Sequence, residues 1–154
     1  MPIMRSPADT VDKIKDYIQD KVFCDIGCGS GIVIKCAMKY AKRAFGIERN
    51  PVAVRKAREA GCEVFEMDID KNIPEADVYY SWIRHQANRE LFNKLQKEKP
   101  GKILIIGAEK FVKEECDFLF ELAYFHKTKI IEWNYNEGNG HRESGTFYLG
   151  IFKL

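Results

Sequence analysis

Hydrophobic and polar positions alternate in blocks along the chain. Short, nearly continuous apolar runs are followed by longer stretches in which apolar residues recur every three or four positions. The first pattern is typical of strands buried on both faces, and the second is typical of amphipathic helices. The runs predict seven strands, at residues 21–25, 43–48, 63–68, 77–83, 102–107, 128–136 and 146–154. The periodic stretches predict five helices. The first begins at Ser6 and Pro7, and the other four span about 32–42, 50–61, 86–99 and 112–127.

Local start and stop signals support several of these boundaries. Ser6 is a helix-capping residue and Pro7 suits the first helical position, so the first helix is predicted to begin there. Asn50 and Pro51 form a second start of the same kind, and Gly61 is predicted to end that helix.

Strands that alternate with helices predict a parallel sheet with right-handed crossovers. The last two strands are joined by a glycine-rich loop of only about ten residues, which suits an antiparallel hairpin better than a parallel return. We therefore predict an α/β fold with a doubly wound, mostly parallel seven-stranded sheet. Helices cover both of its faces, and its C-terminal hairpin strand is antiparallel.

Length and composition narrow the class of protein. The 154 residues predict one domain, 1–154, with residues 1–20 forming a helix on or near a ligand cleft. The 25 Lys and Arg residues nearly balance the 23 Asp and Glu residues, which excludes an overall basic footprint for nucleic acid. No secretory signal and no apolar run of membrane-spanning length is present in this sequence, so we expect a cytoplasmic protein. The five cysteines form no CxxC pair, and we expect buried free thiols and no metal site.

The most informative motif runs from Asp25 to Gly31, between the first strand and the second helix. Glycines at such a turn let backbone groups approach a ligand closely. The spacing is G-x-G-x-G, and Ile32 stands where a dinucleotide-binding motif has its third glycine. Asp25 would repel a pyrophosphate but suits a cationic ligand. Glu48 ends the second strand, where a carboxylate can accept both hydroxyls of a ribose.

With these features the chain resembles the class I S-adenosylmethionine-dependent methyltransferases. The resemblance implies that S-adenosylmethionine is the cofactor and that the seventh strand is inserted between the fifth and sixth. It implies that Glu48 binds ribose, that Asp68 meets the adenine amine and that Ser81 lies under the reactive methyl group. The loop that would hold the methionine part consists of Asp25, Gly27, Cys28, Gly29 and Gly31.

Each of these residues also has a structural interpretation. The glycine loop can be a tight turn, Glu48 can neutralise Arg49 or Arg43, and Asp68 can terminate a strand.

The acceptor side is less defined. The candidates are Ser81, Trp82, His85 and His141. Trp82 can stack on a ligand or pack in the core, and each histidine can be a general base or a structural residue. Residues 81–86 lack the Asn/Asp-Pro-Pro-aromatic run of enzymes that methylate base amines. We therefore favour a nitrogen or oxygen acceptor on a small molecule or a protein over nucleic acid.

Two other functions remain open at the level of sequence. One is a binding module without catalysis, because methyl transfer requires no obligatory base whose loss would be visible. The other is a nicotinamide-dependent oxidoreductase, against which the glycine spacing and Asp25 argue.

Overall fold

The computed structural model describes residues 6–7, 9–82, 85–126, 128–135 and 145–154. The helices are α1 (Thr10–Ile18), α2 (Ile32–Ala37), α3 (Pro51–Glu59), α4 (His85–Glu98) and α5 (Lys113–Phe125). The strands are β1 (Val22–Ile26), β2 (Arg43–Glu48), β3 (Glu63–Glu66), β4 (Val78–Ser81), β5 (Ile103–Glu109), β6 (Thr128–Tyr135) and β7 (Gly145–Lys153).

The strands form a seven-stranded sheet in the order β3-β2-β1-β4-β5-β7-β6. Strand β1 pairs in parallel with β2 and β4, and β2 pairs in parallel with β3. Strand β7 pairs antiparallel with both β5 and β6. The predicted fold class is confirmed, including the insertion of the last strand between the fifth and the sixth.

The chain is organised in two compact units. The first unit is Thr10–Ser81, and the second contains Trp82–Leu154 together with the residues before Thr10. The first unit holds the parallel strands β1 to β4, and the second holds the antiparallel strands β5, β7 and β6. The expectation of a single domain over 1–154, with a helix over 1–20 near the cofactor cleft, stays a prediction.

Helix α3 shows how local sequence sets an element in the first unit. The Asn50 side chain accepts hydrogen bonds from the backbone N–H groups of Val52 at 2.9 Å and Ala53 at 3.4 Å, and Pro51 occupies the first turn. Gly61 then adopts a φ of 92°, a conformation that favours glycine. The predicted start of this helix at Asn50 and Pro51 and its predicted end at Gly61 are confirmed.

Two helix boundaries differ from the prediction by more than two residues. Helix α1 begins at Thr10 and not at Ser6, because its buried apolar stripe starts only at Val11 and the preceding Asp9 carboxylate accepts a hydrogen bond from Trp133 Nε1 at 3.0 Å. Helix α2 ends at Ala37 and not at residue 42, because the chain turns there and the Lys42 N–H donates to the Lys21 carbonyl. The contacts of Asp9 and Lys42 join residues that are distant in the sequence, and local patterns do not reveal them.

Gly107 makes room for an indole ring in the second unit. A Cβ atom at Gly107 would lie 2.0 Å from Cε3 of Trp82, so only glycine lets this ring lie against β5. The Trp82 ring also packs edge-on against Phe147 of β7, with ring centroids 5.8 Å apart. Because Trp82 is only 7% exposed, its ring has little free space into which it can move.

We expect Gly107→Ala to destabilise the protein by about 1–3 kcal/mol, the usual cost of overpacking a core. Urea denaturation followed by tryptophan fluorescence measures the effect. In a Trp82→Ala background the same substitution should cost much less, because the clashing ring is gone. An equal cost in both backgrounds would contradict this origin of the effect.

Candidate cofactor site

The glycine loop between β1 and α2 is bonded closely to β2. Gly27, Gly29 and Gly31 adopt φ angles of 74°, 55° and 89°, which are positive values that other residues rarely accept. The N–H groups of Gly27 and Cys28 both donate to the Ile47 carbonyl, at 2.9 and 3.0 Å. The Gly31 N–H donates to the Cys28 carbonyl at 3.0 Å. The loop is therefore a fixed turn held at the end of β2.

Glu48 fastens the same loop with its side chain. Glu48 Oε1 accepts a hydrogen bond from the Gly29 N–H at 2.9 Å, and Oε2 accepts one from the Asn50 N–H at 2.9 Å. The carboxylate thus joins the glycine loop to the start of α3. The alternative in which Glu48 neutralises Arg43 does not match this geometry, since Arg43 forms its ion pair with Glu63.

Four of the five amides of the loop from Gly27 to Gly31 are already used within the protein. The N–H groups of Gly27, Cys28, Gly29 and Gly31 all donate to acceptors within the protein. A pyrophosphate needs such groups as donors. This arrangement therefore favours a ligand without a pyrophosphate at the loop.

Gly29 leaves open space at the same loop. A Cβ atom built at Gly29 would have no atom of the described structure within 4 Å, whereas one at Gly46 would lie 2.7 Å from Cys28 Cβ. Gly46 is therefore required for packing between β2 and the loop. Gly29 instead faces a region that a ligand can occupy.

Asp25 lies near the carboxyl end of β1 and is 4% exposed. It stands opposite Gly46 of β2 and Tyr80 of β4. Because side chains alternate between the faces of a sheet, Glu48, two residues after Gly46, lies on the same face as Asp25. Burial, and then the nearby Glu48 carboxylate, raise the pKa of Asp25 well above its usual value.

Asp68 follows β3 and is held by its own loop. Its Oδ1 accepts a hydrogen bond from the Ile69 N–H at 2.7 Å, and its Oδ2 lies 3.7 Å from Nη1 of Arg49. The Arg49 side chain is exposed and that of Asp68 is partly exposed, so the ion pair contributes little to stability. Asp68 and Arg49 extend the row of polar residues along the ends of β2 and β3.

Ser81 ends β4 opposite Ile26 of β1 and is fully buried. The carboxyl ends of parallel strands meet at one edge of a sheet, which is where ligands bind in folds of this type. The first unit therefore brings the predicted cofactor residues together at one edge: Asp25, Gly27, Cys28, Gly29, Gly31, Glu48, Asp68 and Ser81.

The cysteines around the loop are not activated thiols. Burial raises the pKa of Cys24, Cys28 and Cys62, and nearby carboxylates add to the effect. The Cys62 thiol donates to the Gly31 carbonyl at 3.5 Å, which packs α3 against the loop. The described residues contain no group of three or more His, Cys, Asp or Glu side chains placed to hold a metal ion.

Comparison with known proteins identifies solved structures that share this fold. No family model matches the chain. The solved structure of an RNA methyltransferase from Salinibacter ruber, in complex with S-adenosylhomocysteine, matches with a TM-score of 0.63 at 20% identity, over 97% of this chain and 94% of that chain. The chain has the class I methyltransferase fold.

Two curated methyltransferases match over shorter segments. A ribosomal protein L11 methyltransferase of Clostridium botulinum is 43% identical over 51 residues, which are 32% of this chain and 16% of that protein. A protein of Methanocaldococcus jannaschii, provisionally named a protein N5-glutamine methyltransferase, is 33% identical over 82 residues, 47% of this chain and 42% of that protein. The chain thus covers less than half the length of either relative.

The acceptor-side candidates of this methyltransferase fold are only partly described. Trp82 packs against Gly107 and Phe147, which matches the core alternative for this residue. His85 is the first residue of α4, and its side chain lies outside the described set. His141 also lies outside the described residues.

No helix in the described part of the chain combines the length and apolar character needed to cross a membrane.

Sequence reasoning missed two features of this methyltransferase fold. One is the role of Glu48 in fastening the glycine loop, a contact between residues 19 positions apart. The other is the close approach of Trp82 to Gly107. A lone glycine inside the most apolar strand is a known sign of such an approach and was the available signal.

Proposed function

We propose that the chain binds S-adenosylmethionine at the carboxyl edge of β1 to β4 and transfers its methyl group to a nitrogen or oxygen acceptor. One observation carries the proposal. Four of the five amides of the glycine loop donate within the protein, and the loop lies beside a buried carboxylate, Asp25, that has an acidic neighbour. A site with this charge suits a cationic adenosyl ligand better than a dinucleotide. The class I fold supports the same choice.

The proposed roles follow the order of the residues along the edge. Asp25 and the loop from Gly27 to Gly31 hold the methionine part of the cofactor. Glu48 accepts hydrogen bonds from the ribose hydroxyls, and Asp68 accepts one from the adenine amine. Ser81 lies under the reactive methyl group.

Bound S-adenosylmethionine supplies a methyl group that its sulfonium has already activated. The contribution of the protein is then alignment, which brings reacting atoms to about 3–3.5 Å in line. A general base is optional, and His85 and His141 are the candidates for that role.

The acceptor is a small molecule or a protein side chain, because residues 81–86 lack the motif of base-amine methylases. A turnover assay that follows S-adenosylhomocysteine formation with pools of each acceptor separates an enzyme from a binding module.

A thermal melt with S-adenosylmethionine, S-adenosylhomocysteine and NAD in parallel tests cofactor binding. At about 100 times its Kd, a ligand stabilises the folded state by about 2.7 kcal/mol, which for this chain length raises Tm by roughly 5–10 °C. We expect this shift with the two adenosyl ligands only. A shift with NAD alone would favour an oxidoreductase, and saturating ligands without any shift would overturn the proposal.

A substitution at Gly29 tests where the cofactor lies. We expect Gly29→Ala to cost only about 1–2 kcal/mol of folding free energy, because its φ of 55° is strained for alanine but no protein atom is in the way. The new methyl group would instead occupy ligand space and lower S-adenosylhomocysteine affinity at least tenfold, measured by isothermal titration calorimetry. Unchanged affinity in the folded variant would place the ligand elsewhere.

A further inference from the structure

Asp25 is a buried acid without an opposite charge. It is 4% exposed near the end of β1, between β2 and β4. An ionised carboxylate at such a position requires a cation or several hydrogen bonds to offset the loss of water. Without a cation beside it, burial favours the neutral form of this carboxyl group.

Among the described residues, the charged group that acts on Asp25 is another acid, Glu48. Tyr80 stands opposite it on β4. Lys35 and Arg43 act on the thiols of Cys62 and Cys24, but not on Asp25. Glu48 faces it from β2, Cys24 precedes it in β1, Cys28 lies in the glycine loop and Cys62 follows α3. Burial raises the pKa of each of these thiols, so they are uncharged at neutral pH. Among the described residues, no lysine or arginine offsets the combined effect of burial and Glu48 on Asp25.

Glu48 is the member of the carboxylate pair that is already hydrogen-bonded to the backbone. Both of its oxygens accept backbone N–H groups, from Gly29 and Asn50. Two carboxylates that share a site do not both ionise readily. Asp25 is therefore the group that takes up a proton in the empty protein.

We propose, building on the function proposed above, that Asp25 is protonated in the empty protein and ionises when the charged methionine end of the cofactor binds. One proton then leaves Asp25 for the solvent with each cofactor bound. The ammonium of the methionine part provides the positive charge that the protein lacks at this position. Adenosine has the same base and ribose without that charge, so it binds without displacing the proton.

The pH dependence follows from this exchange. The cofactor binds the ionised form, so its affinity rises with pH by up to about tenfold per unit while Asp25 is protonated in the free protein. Once pH exceeds the point at which Asp25 ionises in the free protein, the affinity becomes constant. The site therefore loses cofactor as the solution becomes more acidic.

Calorimetric titrations of the full chain with S-adenosylhomocysteine and with adenosine test the proposal. Each titration is repeated between pH 5 and 8.5 in two buffers with different ionisation enthalpies, so that the heat difference counts the protons released. For S-adenosylhomocysteine we expect a release that approaches one proton at low pH and falls to zero at high pH. For adenosine we expect no release.

Two variants test whether Asp25 is the group that releases the proton. Asp25→Asn should abolish the proton release and flatten the pH profile. Glu59→Gln, which changes an exposed carboxylate at the end of α3, should leave both unchanged. Binding of S-adenosylhomocysteine without proton release, or an unchanged profile in Asp25→Asn, would overturn this inference alone. Failure of the wild-type chain to bind either ligand would overturn the proposed function and this inference with it.

A stability measurement without any ligand gives a second readout. The pKa of Asp25 is raised in the folded protein. Its favourable contribution to the free energy of unfolding is therefore present at low pH and is lost as pH rises through the pKa of the folded state. Asp25→Asn should therefore unfold at a higher urea concentration than wild type at pH 8, and the difference should shrink towards pH 5. A variant less stable than wild type at pH 8 would overturn the inference.

Discussion

Replacing Glu48 with alanine is expected to weaken S-adenosylhomocysteine binding by roughly 30- to 150-fold, which corresponds to about 2–3 kcal/mol. One hydrogen bond to a charged group is worth about 1.5–3 kcal/mol, so the expected loss corresponds to about one bond between the carboxylate and the ribose hydroxyls. The substitution also removes the acceptor of the Gly29 N–H and so loosens the loop. Isothermal titration calorimetry at pH 8 measures the effect.

Two comparisons separate the ribose contact from the fastening of the loop. The first uses ligands: 2′,3′-dideoxyadenosine should bind wild type much more weakly than adenosine does, and the two should bind Glu48→Ala about equally. The second uses a matched variant, Glu59→Ala, which removes an exposed carboxylate from the end of α3 and should bind as wild type does. If Glu48→Ala keeps the wild-type preference for adenosine, Glu48 only supports the loop.

The strands of the parallel half and the start of α3 were predictable because their signals are local. Strand β2 was predicted at 43–48 and is observed at Arg43–Glu48, since a short apolar run between two helices has few alternatives. Asn50 and Pro51 set the start of α3 through hydrogen bonds that span three residues. An element boundary can be predicted from the sequence when residues close to it in the chain determine it.

The errors arise where the cause lies far along the chain. Ser6 and Pro7 look like a helix start, but Asp9 bonds to Trp133, which is 124 positions away, and α1 begins after it. Helix α2 has no glycine or proline at its end, and contacts with residues 20 and 21 stop it instead. The candidate site shows the same division: the positions of Asp25 and Glu48 could be predicted, whereas the bond from Gly29 to Glu48 could not.

Replacing Gly31 with alanine is expected to destabilise the protein by about 2–4 kcal/mol, the largest stability effect predicted for the loop. Its φ of 89° is strained for alanine, and the added Cβ would lie 2.7 Å from Cys62 Sγ and 3.2 Å from Ala57 Cβ. Gly31 also begins α2, because its carbonyl accepts the Lys35 N–H at 3.0 Å. Urea denaturation measures the loss of folding free energy.

Two controls separate the backbone strain from the clash. Gly61 has a similar φ of 92° with no atom within 4 Å of a built Cβ, so Gly61→Ala should cost only the backbone share of about 1–2 kcal/mol. Cys62→Ala removes the closest atom, and in that background Gly31→Ala should lose part of its excess cost, with the Ala57 contact remaining. Equal costs at Gly31 and Gly61 would mean that the loop moves away from α3 without penalty. The packing of the glycine loop against Cys62 would then not be what fixes the shape of the proposed cofactor site.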